Sequence, residues 1–227
     1  MVVNIVSPCG GQWRSALAAQ LALSLAGMYP GQILLVDGCS DEGVQRLLGA
    51  ERTTAYDLGD ALCGRCCAGD AVYSFGRLDI MPAAADDGDV RARTLIGLLD
   101  ELKHSYRYVL FDSPSGSWSF MTNVASASDL TLLCTKADKF HLDAAYRLRR
   151  RLPEDDSRCR LVLTGYSVKE FRSGNLWGID RSIDRAGARL IGVLPEGQSR
   201  NGRLADLACA SIAQRIDGAD VPLMKLS

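Results

Sequence analysis

Three places in the 227-residue chain combine residue types and spacing suited to chemistry. The first is Pro8-Cys9-Gly10-Gly11-Gln12-Trp13-Arg14-Ser15, a turn between the β-branched run Val2 to Val6 and the Ala- and Leu-rich stretch Ser15 to Gly27. A turn at that place offers backbone N–H groups and the positive end of a helix to an anion, as a phosphate-binding loop does. Tested against G-x-x-x-x-G-K-[ST], Pro8 and Trp13 stand for the two glycines and Arg14 for the lysine, so only Ser15 matches. The other two places are Asp37-Gly38-Cys39-Ser40 and Asp112-Ser113-Pro114-Ser115-Gly116, each following an apolar run. A carboxylate there can hold a magnesium-bound water or orient an attacking water, with Ser15 supplying a further oxygen to the metal. Aspartates at such positions also cap the next helix or turn, and that role stands beside the catalytic one.

The elements that must position these residues are legible as an alternation. Strands are expected at Val2 to Val6, Gln32 to Asp37, Leu78 to Ala83, Tyr108 to Asp112, Leu130 to Thr135, Arg160 to Gly165 and Arg189 to Leu194. Their apolar residues run on without alternating, as they do when both faces of a parallel sheet are covered. Helices are expected at Ser15 to Gly27, Val90 to His104, Phe140 to Arg151 and Asn201 to Asp217, with an exposed loop at Ala83 to Asp89. The pattern predicts a single α/β domain over 1–227, a doubly wound, mostly parallel sheet of about seven strands with helices on both faces. Ligands of such sheets sit beyond the carboxyl ends of the strands, where the loop and both aspartates fall.

Composition narrows the partners. With 26 basic and 27 acidic residues, the formal charge of −1 gives no global field for nucleic acid or anionic lipid. The eight cysteines are scattered and several lie in apolar runs, which points to a reducing cytoplasm and not to a disulfide framework. No run of about 18 apolar residues exists to span a membrane. The stretch Ala16 to Ala26 after Arg14 is interrupted by Gln20 and Ser24 and follows a β-like segment, so it is not expected to be a signal peptide.

At this point the chain resembles the MinD/ParA family of P-loop ATPases with a deviant Walker A motif. The resemblance is carried by Ser7 to Ala16, Leu34 to Asp37, Tyr56-Asp57-Leu58 and Leu78-Asp79-Ile80-Met81-Pro82-Ala83, and then by Val109 to Pro114 and Ala127-Ser128-Asp129. It continues through Ile191 to Glu196 and Ile212 to Ile216, almost end to end. It implies ATP and magnesium as cofactors, Asp37 as the catalytic aspartate, and Ser15 and Asp112 at the metal. It places Cys9, Gly10, Gly11, Gln12, Trp13, Arg14, Ser15 and Ala16 along the phosphates, with Thr164, Pro195 and Glu196 toward the nucleoside. Cys9 stands where relatives carry a signature lysine, Arg14 where the loop lysine stands, and Thr164 where an asparagine meets adenine. Trp13 replaces a glycine that lets the backbone approach the phosphates.

The function expected from these departures is an ATP-binding protein with weak or lost hydrolysis, homodimeric and cytoplasmic, working with a protein partner in septum-site placement, partitioning or polar localisation. The alternative is a non-catalytic adaptor, for example in pilus-assembly localisation. The chain stops at Pro222-Leu-Met-Lys-Leu-Ser227 without the basic amphipathic helix of MinD-like proteins, so no direct membrane anchor is expected. Lys136, Lys139 and Arg147 to Arg151 are basic enough to touch DNA, but Glu154, Asp155 and Asp156 follow at once and reduce the field. Cys63, Cys66 and Cys67 have metal-pair spacing with no second pair or nearby histidine, which favours a loop beside a surface helix. Cys9, at a helix N-terminus and near Arg14, is the expected low-pKa thiol.

Overall fold

The computed structural model describes residues 1–10, 12–39, 43–50, 55–84, 92–196 and 203–223. In its first half β1 (Val2–Val6) leads to α1 (Gln12–Met28), β2 (Ile33–Asp37), α2 (Gly43–Leu48) and α3 (Leu58–Leu62). A short β3 (Tyr73–Phe75) and β4 (Leu78–Met81) precede α4 (Ala92–Ser105), β5 (Tyr108–Asp112) and α5 (Trp118–Ala127). The second half runs β6 (Leu130–Thr135), α6 (Lys139–Arg149), β7 (Cys159–Tyr166), α7 (Val168–Arg172), α8 (Ile179–Ala186), β8 (Arg189–Pro195) and α9 (Arg203–Ile216).

The strands form one sheet in the order β3-β4-β2-β5-β1-β6-β7-β8, and the described pairings are parallel except that of β3 with β4. Every residue of β1, β2, β5 and β6 is buried, which explains their unbroken apolar character. Val3 and Ile5 of β1 pack with Leu17, Leu21 and Leu25 of α1 and Ile212 of α9 on one face. Val2 and Val6 point to the other face, toward α4, α5, α6 and α8. At the edge, β8 and α9 touch so closely that a Cβ at Gly192 would lie 2.4 Å from Ile212 Cγ1.

Among the described residues the sheet has eight strands where about seven are expected. The additional β3 is a three-residue antiparallel edge, with Tyr73 buried and Ser74 exposed. Its residues alternate instead of running on, so a search for buried parallel strands passes over it. Residues 85–89 of the expected loop and residues 201–202 of the last expected helix lie outside the described residues.

Candidate functional site

The register of the sheet sets the geometry. β2 and β5 are neighbours with Asp37 paired to Asp112, and Ile5 of β1 pairs with Asp112 from the other side. Two carboxylates therefore meet at the carboxyl ends of adjacent strands, and both are fully buried. The approach depends on Gly38. Its N–H donates to the Asp112 carbonyl at 3.0 Å, and a Cβ there would sit 2.6 Å from that carbonyl oxygen and 2.7 Å from Phe111 Cε1.

The loop after β1 carries Arg14 and Ser15 into the first turn of α1, on the same side of the sheet. Arg14 is 5% exposed. Its Nε donates to Asp112 Oδ1, and its Nη2 donates to Ser15 Oγ at 3.2 Å and to Cys39 Sγ at 2.8 Å. Its remaining nitrogen, Nη1, is buried without a hydrogen-bond partner. Burial works against the guanidinium charge, but Asp112 and then Cys39 more than offset it, so Arg14 titrates above its ordinary value. Burial raises the Asp112 carboxyl, and Arg14 is the strongest of the groups pulling it back down.

Asp37 is held differently. Its Oδ1 accepts from the Cys39 N–H at 3.0 Å and its Oδ2 from the Val44 N–H at 3.2 Å, so the carboxylate ties the end of β2 to the first turn of α2. Asp37, Cys39 and Asp112 each bring one ligand atom within 4.8 Å of the others.

Beside Arg14 opens a cleft of about 340 Å³, lined by Ser7, Cys9, Gly10, Trp13, Arg14, Cys134, Thr135, Lys136, His141 and Thr164. The Trp13 indole rests against Gly165, where a Cβ would lie 3.4 Å from it. Asp138 caps α6 by accepting from the His141 N–H at 3.0 Å, and its other oxygen meets His141 Nδ1 at 2.7 Å. Burial opposes the Asp138 charge, yet these His141 contacts and the nearby Lys136 bring its carboxyl below the ordinary value.

Of the residues expected at the site, Cys9, Gly10, Trp13, Arg14 and Thr164 share the cleft, and Ser15, Asp37 and Asp112 converge beside it. Ala16 is half-buried and is not part of the lining. Pro195 and Glu196 sit beyond Thr164, Pro195 paired with Tyr166 and the Glu196 N–H donating to the Tyr166 carbonyl at 2.9 Å. Gly11, Ser40 and the Gln12 side chain lie outside the described residues. Cys39, Lys136 and His141 were not assigned from sequence. Lys136 directly follows β6, so the strand-end rule that selects Asp112 would also have selected it.

One expectation about an individual side chain changes. Cys9 is not a low-pKa thiol, because burial raises it, Asp138 adds to the effect, and Arg14 turns away toward Asp112. Cys63 is the C-cap residue of α3, and Cys66 beyond it is half-buried. In the basic run, Arg149 pairs with Asp156 at 2.5 Å and Arg151 lies over the Trp118 ring. All eight cysteines are free, with Cys63 and Cys67 exposed and Cys9 half-buried. Maleimide labelling followed by mass spectrometry is expected to modify Cys63 and Cys67 before Cys9; faster reaction at Cys9 would contradict this account of its surroundings.

The chain is 28% identical over 248 residues to the septum site-determining protein MinD of Bacillus subtilis (strain 168), covering 99% of this chain and 91% of that protein. The chain is a MinD/ParA-family homologue. Its fold matches the MinC:MinD cell division protein complex of Aquifex aeolicus with a TM-score of 0.86 at 23% identity, over 100% of this chain and 99% of that one. MinD of Pyrococcus horikoshii OT3, solved in complex with Mg-ADP, matches with a TM-score of 0.78 at 21% identity over 96% of both chains. No protein-family model matches the chain.

MinD/ParA homology raises the question of whether the donor set suits magnesium. As arranged, it does not. The guanidinium already engages Asp112, Ser15 and Cys39, and a dication about 4 Å from it would be repelled by roughly 8 kcal/mol at an effective dielectric near 20. Magnesium also requires oxygen ligands in octahedral geometry, which the Cys39 thiol cannot supply. Among the described residues no helix is long and apolar enough to cross a membrane.

Proposed function

We propose that this MinD/ParA homologue is a spatial-organisation protein that binds ATP with weak or lost hydrolysis. The observation that carries the reading is the Arg14 guanidinium, whose Nε and Nη2 are taken up by Asp112, Ser15 and Cys39 and so are not directed at a terminal phosphate. Phosphoryl transfer depends on fixed positive groups at the developing charge, and each one lost costs about 10²–10³ in rate. Cys9, where the family's signature lysine is expected, supplies no charge either. The process served is septum-site placement, partitioning or polar localisation, and the protein acts as a cytoplasmic homodimer with a protein partner. The partner role is supported by the MinC bound to the Aquifex homologue.

A second reading, a non-catalytic adaptor such as one that localises a pilus-assembly system, is favoured by the Trp13 indole packed on Gly165 directly after Thr164. Calorimetric titration with Mg-ATP beside a phosphate-release assay separates the two. Micromolar binding that Ser15→Ala abolishes, with release at the level of a protein-free control, is the expected result. Absence of binding at millimolar ATP would favour the adaptor, and brisk multiple turnover would refute both.

A further inference from the structure

We infer that the Trp13 indole is an autoinhibitory wall of the cleft, one that a nucleotide must displace in order to bind. The inference rests on the nucleotide reading above and adds its regulation. Near the edge of the sheet Leu163 pairs with Val193 and Tyr166 with Pro195, so β7 spends one residue more than β8 over that span. A bulge of this kind bends the strand and re-aims its side chains. Gly165 lies within it in a left-handed conformation, with φ at +61°, and presents backbone without a side chain at the end of the strand. The indole rests there. A Cβ at Gly165 would lie 3.4 Å from the indole Cε2 and 3.5 Å from its Cζ2 and Nε1, so the break in β7 and the ring fit each other.

The contact falls on the route a nucleotide would take. Trp13 and Thr164 both line the cleft, and just beyond Thr164 the Pro195 and Glu196 backbone is tied to Tyr166. A ligand that reaches from Arg14 past Thr164 to Pro195 and Glu196 therefore crosses Gly165, where the ring lies. The cleft of about 340 Å³ is near the lower end of the roughly 300–1,000 Å³ that small-molecule sites enclose, so the space under an indole matters. Of the two surfaces in contact, the ring is the one able to move. Tyr166 is buried, its hydroxyl donates to the Trp177 carbonyl at 3.3 Å, and its ring stacks on Phe171 with centroids 6.4 Å apart, so the end of β7 is fixed. Trp13 is only half-buried, and its ring turns about two side-chain bonds. Apparent affinity falls by the fraction of molecules in the open arrangement. With the ring turned out in about a tenth of molecules or fewer, its removal tightens binding about tenfold or more.

Calorimetric titration of the full chain with Mg-ATP, on wild type, Trp13→Ala and Trp13→Phe, tests the inference once circular dichroism shows each protein folded. Trp13→Ala should bind about tenfold or more tightly than wild type, and Trp13→Phe, with its smaller ring, should fall between them. Saturation should also change the tryptophan emission of the wild type far more than that of Trp13→Ala, which retains Trp118 and Trp177. Binding by Trp13→Ala alone would uphold the inference too. Equal or weaker affinity in Trp13→Ala, or wild-type emission unchanged at saturation, would overturn it while the nucleotide reading stands on the wild type's own binding. No binding by any of the three proteins at millimolar ATP would remove both and leave the adaptor. Should Trp13→Ala fail to fold, Trp13→Phe decides in the same way, tighter binding upholding the inference and equal or weaker binding overturning it.

Discussion

Arg14→Ala is expected to lower the stability of the fold by about 3–5 kcal/mol, seen as a shift in the midpoint of urea unfolding. The size follows from what remains behind. Asp112 is fully buried, and without the guanidinium its charge keeps the weaker support of Ser15 and Cys39. The pH dependence carries the same signature. Burial already raises the Asp112 carboxyl and Arg14 opposes the rise, so removing Arg14 moves its folded pKa further above the unfolded value of about 3.9. A group with a raised folded pKa contributes its full stability below the unfolded value and loses it as pH climbs through the folded one. The deficit of Arg14→Ala relative to wild type should therefore be smallest below the unfolded value of about 3.9 and grow as pH climbs through and beyond the raised folded pKa of the wild type. A deficit independent of pH would show that Arg14 stabilises by packing and not by charge. The double variant Arg14→Met/Asp112→Leu removes both charges and should recover much of the loss, because replacing a whole buried pair costs far less than breaking it.

How much of this was legible in the sequence depends on the range over which each feature is encoded. The bounds of β1, β5 and β6 coincide with the sequence reading, because strands buried on both faces write themselves as continuous apolar runs. β3 left no such mark, being three residues long and half-exposed. The strand-end rule is enough to bring Ser15, Asp37 and Asp112 to one rim of the sheet, where the structure has them. It could not say which cation they would meet, because the contact of Arg14 with Asp112 joins residues 98 apart and is chosen by side-chain packing. The same choice explains the Cys9 error. Proximity in sequence suggested that Arg14 would lower the Cys9 thiol, whereas the long side chain reaches across to β5 and leaves Cys9 to burial and Asp138. Asp37 was legible in both of its senses, and the structure supplies the local one directly through the Cys39 and Val44 N–H groups.

The close approach of β2 and β5 gives the second large effect. Gly38→Ala should cost about 2–4 kcal/mol and also weaken ATP binding. An added Cβ would meet the Asp112 carbonyl oxygen at 2.6 Å, and backbone cannot move aside as the tip of a surface side chain can. Its other neighbour, Phe111, is fully buried and packed against Phe120 with ring centroids 5.8 Å apart, so the ring has nowhere to swing. Relief requires the strand ends to part, which sacrifices the Gly38 N–H bond to Asp112 and adds the strain of an overpacked site. Parting them shifts Asp112, and with it the guanidinium that Asp112 holds. Gly192→Ala is the matched control. Its Cβ would press on Ile212 at the far edge of the sheet, a buried side chain of α9, so it should lower stability without changing ATP affinity in the folded protein. If both variants lose stability and both retain wild-type ATP affinity, the junction of β2 and β5 does not position Arg14. Weakened binding in Gly38→Ala alone would place the control of the cleft in the backbone contact between Gly38 and Asp112.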